Sequence, residues 1–152
     1  MQLKVAELSD VDALVHLGYL FTQEAPNYKN HKFNADLARQ HFEQVIQGNG
    51  VAFILENGLD VVGGFVGRIA SDWFCDTRIA FDDALFVMPK YRKTRAAYLL
   101  VRAFIEWAKE MRVDRIQCGT TTGIEESACI RLYKHFGLTH FGTVLDMVVS
   151  YE

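Results

Sequence analysis

One stretch of this sequence, residues 85–110, joins the end of a predicted strand directly to a long amphipathic helix through a proline and a basic loop. The loop holds four cations and no acid: Lys90, Arg92, Lys93 and Arg95. Each cation at a helix N-terminus is unfavourable by roughly a few tenths of a kcal/mol, because the helix dipole is positive there. A bound anion removes that conflict, since backbone N–H groups at a helix start bind phosphate. The stretch therefore predicts a phosphate site; the alternative is a solvated basic loop.

The overall composition is that of one globular domain spanning residues 1–152. Half of the residues are hydrophobic and 23% are charged, which is enough apolar material for a core. The formal net charge is -3 at pH 7, whereas a nucleic-acid-binding domain is usually basic. We therefore expect no nucleic-acid partner, and we interpret the basic loop as a local feature.

Cysteine and histidine spacing predicts neither a metal site nor a disulfide framework. The cysteines Cys75, Cys118 and Cys129 are widely separated and form no Cys-x-x-Cys pair. Acidic residues interrupt the N-terminal stretch where a signal peptide would be apolar, and no apolar run approaches the roughly 20 residues of a membrane span. We expect a reduced, cytoplasmic setting without membrane association.

Hydrophobic periodicity predicts the element order β-α-α-β-β-β-α-β-α-β, a mixed α/β sheet with helices on its faces. Asn57-Gly58 is a strong hairpin signal, since both residues tolerate positive φ. Gly63 and Gly64 indicate a bulge or a close backbone approach in the next strand. After a first strand at 3–6 and a helix that ends before Pro26, the predicted elements are helix 35–47, strands 51–56, 60–70 and 79–88, helix 94–111, strand 115–118, helix 125–136 and one or two closing strands within 138–149.

Two motifs give the chain a resemblance to a known family. Residues 87–92 read Val-Met-Pro-Lys-Tyr-Arg ahead of the long helix, and residues 132–138 read Leu-Tyr-Lys-His-Phe-Gly-Leu. In this strand–helix order they resemble the GNAT superfamily of acyl-CoA-dependent N-acyltransferases, whose helix start carries Gln/Arg-x-x-Gly-x-Gly/Ala after Val-x-Pro-x-Tyr. Arg92 and Ala97 match the outer positions of that hallmark, whereas Arg95 replaces its first glycine. The resemblance covers essentially the whole chain and implies a mostly antiparallel N-terminal sheet splayed against a β-α-β C-terminal half.

The resemblance implies that acetyl-CoA is the co-substrate, and no metal is expected. The backbone N–H groups of residues 93–97 would hold its pyrophosphate. The pantetheine arm would pair with the fourth strand as an added strand, where the sheet splays before residues 115–118. Thr120 would contact pantetheine, or would form a turn ahead of the last helix. The implied cofactor-binding residues are Phe86, Val87, Arg92, Lys93, Thr94, Arg95, Ala96, Ala97, Thr120 and Glu126, the last of which stands where the family often has asparagine.

The same resemblance implies that Tyr133 is the general acid that protonates the leaving thiolate of CoA; the alternative is a tyrosine packed on the sheet. Asp83 stands where several family members place a carboxylate. Alternation along a regular strand puts Asp82 and Asp83 on opposite faces, so only one faces the cleft unless a bulge intervenes. We favour Asp83 as the base and Asp82 as a substrate contact. The alternatives are that both bind a cationic substrate, or that water takes the proton.

The acceptor pocket is expected between the loop after the first helix and the loop between the third and fourth strands. The predicted substrate contacts are Tyr28, Trp73 and Asp82, a mixture of aromatic and acidic groups that suits an amine with an apolar body. The exposed pair Trp73 and Phe74 has an alternative use in a dimer contact.

The leading hypothesis is an N-acetyltransferase that passes the acetyl group of acetyl-CoA directly to a primary amine in a ternary complex. A homodimer is the expectation at family level. The alternative is a non-catalytic GNAT-fold protein that binds CoA or a protein partner. Arg95 and Glu126 favour this alternative, whereas Tyr133 and the two aspartates oppose it.

Overall fold

The computed structural model describes residues 1–151, which form five strands and four α-helices. The strands are β1 (Gln2–Val5), β2 (Gly50–Asn57), β3 (Asp60–Ser71), β4 (Arg78–Val87) and β5 (Arg115–Gln117). The helices are α1 (Val11–Glu24), α2 (Ala35–Gln47), α3 (Ala96–Glu110) and α4 (Glu126–His135). The predicted mixed α/β order is confirmed from the first strand through α4.

The strands form a single sheet in the order β1-β2-β3-β4-β5. Neighbours from β1 to β4 pair antiparallel, and β5 joins β4 in parallel after the α3 crossover. Asn57 pairs with Asp60, so the β2–β3 hairpin turns at Gly58, whose φ is +65°. Because glycine adopts positive φ without steric cost, the hairpin predicted at this position is confirmed.

Gly63 allows β3 to approach β4 closely. A Cβ at this position would lie 2.9 Å from the carbonyl oxygen of Phe86, which is too short for any side chain. The β2–β3 register also shifts between Leu55 and Glu56, beside Gly63. The close approach and the bulge that the glycines indicate are therefore both present.

Each face of the sheet packs against helices, and alternation along β2 assigns its side chains to one face or the other. Phe53 belongs to the larger core formed with α3, and its neighbour Ile54 belongs to the core formed with α1 and α2. Phe65 stacks on Phe104 of α3 with ring centroids 4.4 Å apart. No helix within the described residues is long and apolar enough to cross a membrane.

The prediction of closing strands within residues 138–149 is wrong for the structure of this single chain. Residues 138–151 form neither helix nor strand, and every residue from Thr139 onward is exposed. Leu138 is the last residue with a backbone hydrogen bond to the domain, since its N–H donates to the Tyr133 carbonyl at 3.2 Å. The alternating apolar pattern is real, but residues 138–151 pair with none of the five strands of the sheet.

Candidate active site

β4 and β5 diverge, and the gap between them opens a cavity. Their pairing runs only from Ile79 with Arg115 to Phe81 with Gln117. From Asp82 onward this edge of β4 has no partner strand within residues 1–151, and a cavity of about 580 Å³ lies there. The splayed sheet expected from the resemblance is confirmed. The cavity is lined by β4, the loop after β5, α4, the end of α1 and the α1–α2 loop with the start of α2.

A β-bulge at Asp83 turns two neighbouring carboxylates toward the same cavity. On β3, Val66 pairs with Ala84 and Gly67 pairs with Asp82, so Asp83 is an extra residue without a partner. A bulge re-aims side chains that alternation would place on opposite faces. Both Asp82 and Asp83 consequently line the cavity.

Asp82 lies at the point where the two strands separate. The N–H of Gly119 donates to both carboxylate oxygens, at 3.2 and 3.3 Å, and the Tyr133 hydroxyl donates at 3.4 Å. Burial disfavours the charged carboxylate and raises the pKa of Asp82 to about 6, against the opposing effect of these hydrogen bonds. Asp82 is therefore ionised at neutral pH yet more basic than an ordinary aspartate.

Tyr133 is the buried partner of this carboxylate on α4. Its side chain is 5% exposed. Burial, followed by the nearby negative charge of Asp82, raises the pKa of Tyr133 well above its usual value. The phenol consequently keeps its proton and stands as a donor at the cavity wall.

Asp83 has a different set of partners. Arg68 donates to both of its carboxylate oxygens, through Nε at 2.8 Å and Nη2 at 2.8 Å. His41 of α2 contacts the same carboxylate through Nε2, also at 2.8 Å. These contacts engage the oxygens of Asp83, whereas Asp82 lies beside the phenol. General-base function of Asp83 stays a prediction, but the geometry gives Asp82 the stronger claim.

The α1–α2 loop closes over the loop that follows β5. The Asn27 side chain donates to the Thr121 carbonyl at 2.6 Å, and the Asn27 N–H donates to the Thr122 carbonyl at 3.3 Å. The Tyr28 hydroxyl is hydrogen-bonded to the Thr121 hydroxyl. Tyr28 therefore lines the cavity while holding two of its walls together.

The basic loop continues from β4 and ends at α3, with unpaired backbone donors. Thr94 and Ala96 donate their N–H groups to protein acceptors, whereas those of Lys93, Arg95 and Ala97 have no acceptor within residues 1–151. Free N–H groups at the start of a 15-residue helix are suited to an anion. The donor set thus fits the pyrophosphate that the resemblance implies.

Arg92 is held by the protein itself. Its Nε donates to the Val87 carbonyl at 2.9 Å, and its two terminal nitrogens form a bidentate ion pair with Glu24 at the end of α1. Planar bidentate pairs of this kind are geometrically specific. Glu24 is therefore already paired with the guanidinium group that, by the resemblance, would bind a phosphate of the cofactor.

Residues 16–138 match the profile of the Acetyltransferase (GNAT) family. The chain belongs to the GNAT family. No curated protein sequence matches it significantly.

Solved structures share the GNAT fold at low sequence identity. The integron cassette protein HFX_CASS3, from the mobile metagenome of Cole Harbour Salt Marsh, superposes with a TM-score of 0.78 at 20% identity, over 99% of this chain and 92% of that chain. AAC(6')-Iy in complex with the bisubstrate analog CoA-S-monomethyl-acetylneamine gives 0.76 at 16% identity, over 99% and 98%. The aminoglycoside acetyltransferase HMB0005, from an uncultured soil metagenomic sample, gives 0.72 at 22% identity, over 99% and 100%. At these identities the likeness establishes the fold.

Arg95 takes the place of the first GNAT glycine without backbone strain. Its φ is -77°, a value open to any residue, so this position does not require glycine for conformational reasons. The side chain is exposed, and its guanidinium lies 5.9 Å from the centre of the Tyr98 ring. Arg95 therefore points along α3.

Of the other predicted site residues, some lie at the cavity or at the end of β4, and two lie outside the cavity lining. Thr120 lines the cavity together with Tyr28, and Phe86 and Val87 lie buried at the end of β4. Trp73 does not line the cavity, because the β3–β4 loop projects away and leaves its side chain 93% exposed against Phe74. Glu126 begins α4 and is exposed, outside the cavity lining.

Sequence reasoning misses three contacts of the predicted site residues: Arg68 and His41 contact Asp83, and Glu24 contacts Arg92. Each contact joins residues far apart in the chain and depends on strand register or loop path, so no local motif signals it. No group of three or more histidine, cysteine, aspartate or glutamate side chains within residues 1–151 is arranged to hold a metal ion.

Proposed function

We propose that this GNAT protein is an acetyl-CoA-dependent N-acetyltransferase that transfers the acetyl group directly to a primary amine in a ternary complex. The observation that carries the proposal is the contact between Asp82 and Tyr133 at 3.4 Å, at the opening between β4 and β5. A carboxylate that accepts a proton and a phenol that keeps one stand on the same wall, which is the pairing that acid–base catalysis needs. The fold shared with AAC(6')-Iy, solved with a bisubstrate analog containing CoA, supports it.

The protein groups suited to acetyl-CoA follow one another along the chain, from β4 to the start of α3. The open edge of β4 offers unpaired backbone groups to a pantetheine arm, as a sheet edge accepts an added strand. Beyond it, the free N–H groups of Lys93, Arg95 and Ala97 suit the pyrophosphate. The bound thioester would supply the acyl group, and its leaving sulfur would need a proton.

Two side chains then divide the proton chemistry. Asp82, whose pKa lies at about 6, accepts a proton from the incoming ammonium group, directly or through water. Tyr133, whose raised pKa keeps its hydroxyl protonated, donates toward the departing thiolate. The raised pKa of Asp82 lies closer to the pKa of the amine that it must deprotonate, which favours proton transfer to the carboxylate.

The cavity wall suits an amine with an apolar body. Phe21, Tyr28 and Phe33 contribute aromatic surface, and Leu37 and Leu85 add aliphatic surface. Asp82 is the carboxylate of this wall that carries no ion pair within residues 1–151, since Asp83 is paired with Arg68. A single ammonium group beside Asp82, with its carbon skeleton against the aromatics, matches this distribution.

A second candidate function is a non-catalytic GNAT-fold protein that binds CoA or a protein partner. The Glu24–Arg92 ion pair favours it, because it places a carboxylate where a phosphate would be assisted. This candidate predicts ligand binding without turnover.

The deciding experiment measures acetyl-CoA binding by calorimetry and CoA release with a thiol reagent across a panel of primary amines. Tyr133→Phe should lower kcat about 100-fold while leaving the acetyl-CoA dissociation constant unchanged, since one proton donor is lost. Tyr151→Phe removes a hydroxyl from a side chain that is 90% exposed and serves as the matched control. Binding without turnover of any amine would favour the second candidate. Absence of acetyl-CoA binding would reject the acetyltransferase and leave the second candidate only as a protein that binds a protein partner.

A further inference from the structure

Few charged side chains reach the cavity beside β4. Among the lysine, arginine, aspartate and glutamate residues within 1–151, three line it: Lys32, Asp82 and Asp83. Arg68 and His41 contact the carboxylate of Asp83, and the arginine compensates its charge. Asp82 has a phenol and a backbone N–H as partners, and neither is a cation. One carboxylate and one ammonium group are therefore left to meet a ligand.

Lys32 lies on the loop between α1 and α2, and Asp82 lies on β4, so the two charges belong to different walls. The Lys32 side chain is exposed and forms no ion pair within residues 1–151. The acidic residues that flank it along the chain, Glu24 and Asp36, do not line the cavity, and Glu24 is paired with Arg92. Lys32 is therefore free to bind an anionic group of a ligand, as the few polar groups of such sites do.

Aromatic side chains supply much of the remaining wall. Phe21, Tyr28 and Phe33 line the cavity. The Phe21 ring stacks on Tyr28 with ring centroids 6.1 Å apart, and Phe33 packs edge-on against Tyr19 at 5.6 Å. Rings that are packed on one another present a fixed apolar surface. The body of a ligand that lies against this surface should be apolar, with its charged groups at the two unpaired side chains.

The cavity suits a small molecule. Its volume of about 580 Å³ lies within the range of roughly 300–1,000 Å³ typical of small-molecule sites. Asn27 and Tyr28 are hydrogen-bonded to Thr121, which joins the α1–α2 loop to the loop after β5. Walls that are joined in this way limit the size of the acceptor.

We propose that the acceptor is a small zwitterion, whose ammonium group faces Asp82, whose apolar body lies against the aromatic wall and whose carboxylate is bound by Lys32. This zwitterion is the acceptor of the acetyl transfer proposed above, so its turnover depends on that function. Two opposite charges in the ligand match two opposite charges in the cavity and fix its orientation. A polycation such as an aminoglycoside would meet one unpaired carboxylate and would be repelled by Lys32.

Two amines that differ by a carboxylate, phenylalanine and 2-phenylethylamine, test this recognition. A third, 4-(2-aminoethyl)benzoate, carries its carboxylate at the far end of the ring. At saturating acetyl-CoA, at least one of the two carboxylate amines should give a kcat/KM at least about tenfold above that of 2-phenylethylamine, because a charged contact is added. Neamine should be the poorest acceptor. Equal or higher kcat/KM for 2-phenylethylamine or neamine would overturn the proposal.

Lys32→Glu tests whether this side chain binds the carboxylate. It should raise KM for the preferred carboxylate amine about tenfold with little change in kcat, since Lys32 takes no part in proton transfer. It should not raise KM for 2-phenylethylamine, and Lys32→Arg should retain the wild-type preference. Lys29→Glu makes the same charge change on the same loop outside the cavity lining and is the matched control. Equal losses for both amines, or the same loss in Lys29→Glu, would contradict the role of Lys32.

Calorimetric titration in the presence of CoA separates the choice of acceptor from the transfer reaction. The preferred carboxylate amine should bind at least about tenfold more tightly than 2-phenylethylamine, and Lys32→Glu should remove the difference. This result without turnover would keep the zwitterion site and reject acetyl transfer. Turnover of amines with no preference for a carboxylate would keep acetyl transfer and reject the zwitterion. Equal binding of the two amines, or binding of neither, would also reject it.

Discussion

Asp82 and Asp83 are adjacent in the sequence, yet one contacts a buried phenol and the other an arginine and a histidine. The bulge at Asp83 produces this difference, because it gives β4 one residue more than β3 has to pair with. Burial raises the pKa of Asp82 to about 6. At this scale the proposed chemistry depends on which of two identical side chains is left without an ion pair.

The pH dependence of the reaction should report the ionisation of Asp82. Wild-type kcat/KM should rise as pH increases through about 6, because the carboxylate must lose its proton before it can accept one from the amine. Asp82→Asn should lower kcat/KM roughly 100-fold and abolish this inflection. Asp83→Asn is the control and should retain it. An unchanged inflection in Asp82→Asn would assign the titration to another group.

Asp82 should also reduce stability when it is ionised. Its pKa in the folded protein is raised above the unfolded value, so its favourable contribution is complete below about pH 4 and is lost as pH rises through about 6. Asp82→Asn, which cannot ionise, should raise the free energy of unfolding at pH 8 by about 3 kcal/mol. The gain should vanish at pH 4. Urea unfolding at the two pH values measures it, and equal gains at both would contradict the desolvation argument.

Glu24 should compete with the phosphates of acetyl-CoA. Glu24→Gln removes the carboxylate that holds Arg92 and should tighten acetyl-CoA binding roughly two- to fivefold, the range of one partly exposed ion pair. Glu106→Gln makes the same charge change in an exposed ion pair on α3 and should leave binding unaltered. Calorimetric titration compares them. Unaltered binding in Glu24→Gln would mean that Arg92 remains on Glu24 in the complex.

The roles of the two aspartates illustrate where sequence reasoning stops. The motif around Tyr133 identifies it locally, and the structure places it against the cavity. Choosing between Asp82 and Asp83 requires the register of β4 against β3, which is set by contacts such as Val66 with Ala84. A register shift of one residue exchanges the faces of a strand, so no pattern within β4 alone decides the question.

At the scale of elements, the start of helix α3 is electrostatically unfavourable unless an anion is bound there. Its first turn has no acidic residue, and Arg95 precedes it. Free N–H groups and cations at a positive helix end gain most when an anion is present. The sequence predicts both this helix and the hairpin at Gly58, because the pattern that indicates each of them lies within a few consecutive residues.

Arg95→Gly distinguishes a crowded phosphate site from one assisted by charge. Because φ at Arg95 is -77° and its side chain lies over Tyr98, glycine should open no space. It should weaken acetyl-CoA binding about two- to fivefold by removing one cation near the helix start. Arg95→Lys should retain the affinity of the wild type. A sharp rise in affinity for Arg95→Gly would instead show that the arginine crowds the pyrophosphate.

For the whole molecule, the largest gap between sequence and structure is the C-terminal segment, residues 139–151. Its alternation predicts a strand, and the structure of the single chain forms none there. The seven large apolar side chains of this segment lie 54–90% exposed. A pattern within a few consecutive residues indicates the kind of element, but it does not supply the neighbouring strand that would bury one face of it.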